Sequence, residues 1–579
     1  MKKRAYIFLG ILFMFFSTTL RGQGMIIPSG SYVTQSGGTI ILSDNWTNDG
    51  TFTPTAGTVI FAGTNQTING TSLQSFHDLT IASGSILTIP ALIDVTVNGS
   101  LTNNNGINGL VLQSNVSGSA SLIHNTAGVA ATIERHMSQN RWHIISSSVT
   151  SQSITSFVTN VSNTIPTNGN NYGMMNYSES GGGWVYYTIS PSPVGNLSVG
   201  SGYLLRHTAD DSVNVSGTLN SATTNVNITK SANGWNCIGN PFSCSIGVRS
   251  DATTSDNFIT YNASALDPSF AALYLWDEPA VRVSGVSYYN IICNAGFIST
   301  TGRSVINQAY MQPGQGFIVK SNIGGGTVTF TTAMRVHENT GSFFKSARIS
   351  WPGINLIFKS ASKSTSTAIT LHEDMTRGLD VTYDIGLFGG DPNFRLYSRL
   401  VEDNGVNFML QCLPDDGFDN MRIPIGIDCK DGGPVSFTAD IVPLPSGLKI
   451  ILTDSLLGKS TELIDSKSTY TTTLNPNTYG TGRFFLNIYN SAQSTTQSFN
   501  SLDYNAIDIY SSGKEIFVKG IINNNTKANL YDLTGHLIRY YNLQPYDINI
   551  LPANGLPTGI FIIKVFGDGL SITQKVFLE

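Results

Sequence analysis

Residues able to carry chemistry are few in this chain, and most stand in broken patterns. His337-Glu338 and His372-Glu373 each place a histidine beside a carboxylate, as a zinc-protease helix does. Neither has a second histidine four residues after the first, so neither offers two imidazoles to a metal from one helical face. Gly458-Lys459-Ser460 has the ending of a phosphate-binding loop. Thr453 stands where that loop needs a glycine for backbone N–H groups to close on phosphate. No Gly-x-Ser-x-Gly nucleophile elbow occurs. Glycoside hydrolysis needs two carboxylates about 5–9 Å apart, and acids cluster as Glu402-Asp403 and as Asp415-Asp416 with Asp419. The second cluster, around Gly417, is also a Ca²⁺ candidate, although it lacks the twelve-residue calcium-loop pattern. The expectation is a loop of solvated acids, with no other metal or cofactor implied. His143, directly after Trp142, reads as a core histidine behind a core tryptophan.

Binding chemistry has more to work with. Glycan recognition needs aromatic faces open to solvent. Trp46, Trp184, Tyr186, Tyr187, Trp276, Tyr288 and Tyr289 are the candidates, with Trp184, Tyr186 and Tyr187 foremost as glycan contacts. Consecutive strand residues point to opposite faces, so one of Tyr186 and Tyr187 can face solvent while the other packs. Cys237, Cys244, Cys293, Cys412 and Cys429 are odd in number. Cys237 with Cys244, or Cys412 with Cys429, could bridge in an oxidising compartment. All five as small buried hydrophobes is the favoured reading. Their spacing matches no zinc site.

Charge narrows the partners. Only 12% of the 579 residues are charged, against a usual ~25%. Four of the 32 basic residues fall in the first 22, so the remainder carries 28 against 37 acids, a net charge of −9. A negative chain without a basic run is a poor polyanion binder, which sets nucleic acid aside. Residues 22–134 contain no Lys or Arg, and their acids are Asp44, Asp49, Asp78, Asp94 and Glu134. That segment has no cation to neutralise a uronate, which argues against polysaccharide lyase chemistry there.

The chain opens as a secretory leader over residues 1–22. Met1-Lys2-Lys3-Arg4 is a basic start, Ala5 to Phe16 an apolar run, and Ser17 to Gly22 a small, polar exit. As a helix the run spans ~18 Å, short of a ~30 Å bilayer core. Cleavage is expected near Gly22 or Gly24, without a lipid-attachment cysteine. No later apolar run is long enough to cross a membrane.

The elements that must position these residues read as strands throughout: short β-branched runs alternate with Gly, Asn, Ser and Thr clusters, and helical periodicity is nearly absent. Residues 23–136 read as a β-solenoid-like domain. Its strands lie near Thr58–Ala62, Asp78–Ala82, Ile86–Ile89, Val95–Val97, Gly109–Leu112 and Ala120–His124, at irregular spacing. Asn69-Gly70, Asn98-Gly99 and Asn108-Gly109 read as turns that tolerate positive φ. A β-sandwich is the competing reading. Residues 137–340 read as a jelly-roll-like β-sandwich, 341–492 as a second, 493–502 as a polar linker, and 503–579 as an Ig-like β-sandwich of about seven short strands.

That last segment carries a resemblance. It runs through Ala528-Asn529-Leu530-Tyr531-Asp532-Leu533-Thr534-Gly535-His536, then Leu556-Pro557-Thr558-Gly559-Ile560-Phe561-Ile562-Ile563-Lys564-Val565, and ends with Lys575-Val576. It resembles the C-terminal sorting domain of type IX secretion cargo, through Tyr531, Asp532, Gly535, Gly559, Lys575 and Val576. One departure is Ser511-Ser512-Gly513, where the family often has Asn-Pro. The resemblance implies passage across the outer membrane with the type IX machinery and its sorting peptidase as partners. Release or attachment to surface lipopolysaccharide would follow. Arg141-Trp142-His143, Gly234-Trp235-Asn236-Cys237 and Arg335-Val336-His337 are similar to landmarks in large uncharacterised bacterial surface proteins. Asp211-Ser212-Val213 and Asp454-Ser455-Leu456 resemble short O-glycosylation sequons of such bacteria.

Together these features read as a non-catalytic, exported, adhesin-like protein that presents β domains to glycans, matrix or cells at the cell exterior. The alternative is a secreted glycan hydrolase with its site in one of the sandwiches.

Overall fold

A computed structural model describes residues 19–278, 288–299, 309–338, 351–416, 421–465, 467–490, 507–512, 514–519, 525–544, 548–567 and 570–578. Residues 1–18 of the leader, Asp419 and the 493–502 linker lie outside them. The chain is all-β and begins with a β-solenoid of about five turns. One wall stacks Thr19–Gly22, Tyr32–Leu42, Thr51–Phe61, Asp78–Ile81 and Leu101–Asn103 in parallel. The second stacks Met25–Ile27, Trp46–Asn48, Gln66–Asn69, Leu87–Ile89, Leu110–Leu112 and Ala130–Met137. The third stacks Gln74–Phe76, Asp94–Val97 and Ser121–His124.

Register explains the irregular spacing seen in the sequence. Thr39 lies beside Thr58, Leu87 beside Leu110 and Asp94 beside Ser121, so a rung takes about 19–27 residues. Corner loops absorb the variation while strand centres stay aligned. Alternation then stacks Leu42, Phe61 and Ile81 inside, with Val59, Leu79 and Leu101 as the next inward column. Trp46 is fully buried, 4.9 Å from the Phe52 ring and 5.0 Å from Phe76, and its indole N–H donates to buried Gln74 at 2.8 Å. It is therefore core, which corrects its reading as a glycan platform.

Corners are tied upward by short polar side chains. Asn45 accepts from the Thr67 N–H at 2.8 Å, Asp49 from Thr71 at 2.9 Å, and Asp78 from Ser100 at 2.7 Å, each 22 residues on. Gly70 has φ +119°, and a Cβ there would sit 2.1 Å from the Asn48 carbonyl oxygen. Gly99 and Gly109 do not take positive φ, so among these three turns Gly70 is the one whose glycine uses it. The other two are glycine because a Cβ would meet Asp78 Oδ1 at 2.4 Å and Asn103 Oδ1 at 2.2 Å.

The solenoid does not end at a linker. Ala130–Met137 pairs antiparallel with Asp211–Leu219, which pairs with Val149–Thr150, extending the second wall to eight strands. One hydrophobic core runs from Ile27 to Leu219. A second seam clasps the third wall. Arg335 donates to the His124 carbonyl at 2.6 Å and to Asn125 Oδ1 at 2.7 Å, while the His337 ring meets Thr96 Oγ1 and Ser121 Oγ at 2.8 Å each. The described residues between 19 and 338 accordingly form one compact unit. Its middle part holds a sheet built on Trp142–Ser146, Gly202–Arg206 and Asn171–Ser178. Another is built on Trp235–Gly239, Gly316–Lys320, Leu273–Trp276 and Tyr289–Cys293.

The second unit contains the described residues from 351 to 578. Strands from Gly353–Lys359 to Thr478–Asn490 form an eleven-stranded sheet around a core that includes Phe358, Phe437 and Phe484. The terminal domain packs Asp508–Ser512, Glu515–Lys519 and Ile548–Pro552 against Leu537–Asn542, Lys527–Tyr531, Gly559–Gly567 and Leu570–Leu578. Their shared core includes Val518, Leu530, Ile563 and Leu578. All five cysteines are free thiols. Four are buried, and burial pushes the Cys244 thiol up to about 12.

Candidate functional site

Of the residues that looked reactive in sequence, some are drawn into the framework and others stay exposed. His337 is part of the clasp described above. His372 stacks on Trp351 at 4.2 Å and lies 3.7 Å from Asp374. Lys459 and Ser460 belong to a hairpin strand that pairs with Leu448–Asp454. Asp403 pairs with Arg399 at 3.2 Å and accepts from the Gly405 N–H at 2.8 Å. Asp415 and Asp416 are exposed, and among the described residues no three His, Cys, Asp or Glu side chains are grouped to hold a metal.

Both sequon-like serines are occupied. Asp454 is fully buried and takes Arg483 in two-pronged fashion, Nε to Oδ1 at 3.0 Å and Nη2 to Oδ2 at 2.8 Å. The Tyr470 hydroxyl donates to the same carboxylate at 2.6 Å. Ser455, beside it, is buried and accepts from Arg422. Ser212 is part-buried and donates to the Ser114 carbonyl at 2.9 Å.

Two buried carboxylates went unnoticed in the sequence. Burial alone would raise Glu179. The N–H groups of Gly234, Ala232 and Ser231 and the Thr229 hydroxyl converge on it at 2.7–3.2 Å and hold it at about 2. Asp384 goes the other way. Burial lifts it to about 7 against hydrogen bonds from the Cys412 and Asp380 N–H groups. Nothing in a lone Glu or Asp announces these cages, because all of the donors but the Asp380 N–H come from distant segments.

Trp184, Tyr289 and Trp276 link the two sheets of the middle part. Tyr186 is 43% exposed and meets Trp142 edge-on at 6.3 Å. Tyr187, on the opposite face of the strand, packs against the core. Trp184 is part-buried, 5.2 Å from Tyr177, and hydrogen-bonds Tyr289, whose ring lies 5.1 Å from Trp276. Of the three foremost candidates, Tyr186 therefore offers the open surface, with Trp142 beside it. Behind this rim, Arg135, His136, His143, Leu275 and Trp276 line a cleft of about 20 Å³, room for roughly one water and not for a sugar ring. His143 lines it as a part-buried residue, and burial, then the Arg135 charge, pushes it down to about 4.

In the terminal domain Asp532 builds the turn after Lys527–Tyr531. It accepts from the Thr534 N–H at 2.9 Å, the Thr534 hydroxyl at 2.7 Å and the His536 N–H at 2.9 Å. Gly535 takes φ +85°. Gly559 begins a strand whose partner carries exposed Lys575 and buried Val576.

Comparison with known proteins adds a family and little else. No curated protein matches. A solved "Biofilm associated protein - BSP domain" is similar at 10% identity, covering 79% of this chain and 97% of that one, with a TM-score of 0.16. That likeness is too loose to transfer anything. A family described as "Domain of unknown function (DUF8693)" matches residues 41–488, which takes in most of the solenoid and both regions that follow it and stops short of the terminal seven-stranded domain. With more than half of its length matched, the chain belongs to the DUF8693 family.

Proposed function

We propose that the protein is a non-catalytic, exported, adhesin-like surface protein. The observation that carries this is the fusion of a parallel solenoid to the middle part through one eight-stranded sheet and one core. That construction holds broad, nearly uncharged β faces rigid, which suits repeated weak contacts with a partner. The deep acids and histidines support the same reading, because they stabilise turns, clasps and cages. The family it belongs to is described without an activity. Incubating the full chain with a polysaccharide panel tests the reading. Saturable retention without release of reducing ends is expected. Reducing-sugar release abolished by Asp403→Asn or Asp415→Asn would replace it with the hydrolase alternative.

Export through the terminal domain is part of the proposal. It is supported by the leader-like start, by the resemblance of residues 503–579 to a type IX sorting domain, and by the separate core of that domain. The type IX machinery and its sorting peptidase are the implied partners, with surface lipopolysaccharide or release as the end point.

A further inference from the structure

The four-stranded sheet of the terminal domain has an outer face that is apolar and basic at once. Alternation sends Leu530, Ile563 and Leu578 into the domain core, and the residues between them point the other way. Register aligns Tyr540 with Lys564 in one row across the strands, Leu537 with Lys575 in the next, and Ile560 with Phe577 in a third. Tyr540 is 73% exposed, and Leu537, Ile560 and Phe577 are 45–50% exposed. Large apolar side chains grouped on a solvent face mark a contact surface. Lys564 and Lys575 are exposed beside them, as is Lys527 on the same face. None of the four strands contains an Asp or a Glu. Among the described residues no acid pairs with any of these three lysines.

We propose that this face docks on an anionic lipid surface, with Tyr540, Ile560 and Phe577 entering the interface and the lysines meeting headgroup phosphates. The inference goes beyond the adhesin and sorting readings and needs neither. Charge selects an anionic partner, because the sheet offers cations and no carboxylate. The kind of cation selects lipid over protein. Protein interfaces favour arginine and deplete lysine, and all three outward cations here are lysines. The one arginine of the sheet, Arg539, is taken up by the Pro552 and Asn554 carbonyls. A soluble polyanion would use the lysines and leave the aromatic and aliphatic side chains in water. A bilayer interface takes both. Lysine stems lie along apolar surroundings while their heads reach the phosphates, so apolar insertion and electrostatic attraction add.

Sedimentation of the full chain with lipid vesicles tests this. Binding to vesicles of two parts phosphatidylcholine to one part phosphatidylglycerol is expected, weakening as salt rises, with little binding to phosphatidylcholine alone. Lys564→Gln with Lys575→Gln should lower the partition coefficient about tenfold or more at an unchanged melting temperature. Ile560→Ser with Phe577→Ser keeps the charge and should lower it severalfold. Lys514→Gln with Ile550→Ser, on the domain's other sheet, should leave it unchanged. Equal binding to both kinds of vesicle, or binding that survives both face variants, overturns the assignment. So does a failure to sediment with either, and lysine-dependent retention on heparin in its place would give the face to a soluble polyanion. None of these outcomes touches the adhesin or sorting readings, whose own tests are retention on polysaccharide and the mass of the exported form.

Discussion

At the scale of single residues, buried charge is the organising device. Asp454 and Arg483 satisfy each other with Tyr470 as a third partner. Asp454→Ala strands a guanidinium in the interior and should cost about 3–5 kcal/mol, read by chemical denaturation of the full chain. Asp384 adds a pH dependence whose sign follows from its raised pKa. Its ordinary value is 3.8 and its folded value about 7, so its contribution is complete below 3.8 and is lost as pH rises through 7. Melting temperatures of the second unit should therefore fall from pH 5 to pH 8. Asp384→Asn should flatten that slope, at roughly 1 kcal/mol for the hydrogen bond its amide nitrogen cannot accept. A slope equal in both chains would assign it to other groups.

At the scale of elements, the solenoid corner is the most demanding feature. Gly70 combines positive φ with a Cβ position 2.1 Å from the Asn48 carbonyl oxygen. Gly70→Ala should therefore lose roughly 1–3 kcal/mol to backbone conformation alone and more to the clash, seen as a lower melting temperature of the first unit. The strands themselves were readable in the sequence. Leu87–Ile89, Asp94–Val97 and Ser121–His124 fall within a residue of the runs picked out by alternation. Which glycine corners use positive φ was not legible, because a positive φ and a crowded Cβ leave the same letter in the sequence. Gly99 and Gly109 are the crowded kind.

At the scale of the whole molecule, the export proposal predicts what a native preparation weighs and where it is found. After fractionation, a surface or medium form should lack the first ~22 residues and roughly the last 80. It should also carry five alkylatable thiols under denaturing, non-reducing conditions. A periplasmic form that retains Glu579 would make the seven-stranded terminal domain a working part of the protein and remove the sorting reading. By itself, the sequence determined the all-β class, the solenoid at the start, several of its strands and the low charge content, because these rest on composition and local alternation. Tertiary structure decided what each singular residue does. It put Trp46 in the core and Tyr186 on the rim, made His337 a clasp, caged Glu179 and Asp384, and aligned Ile41, Ile60 and Thr80 into one column. Those outcomes depend on which distant segments meet, and rung register sets that through loop lengths that local pattern does not encode.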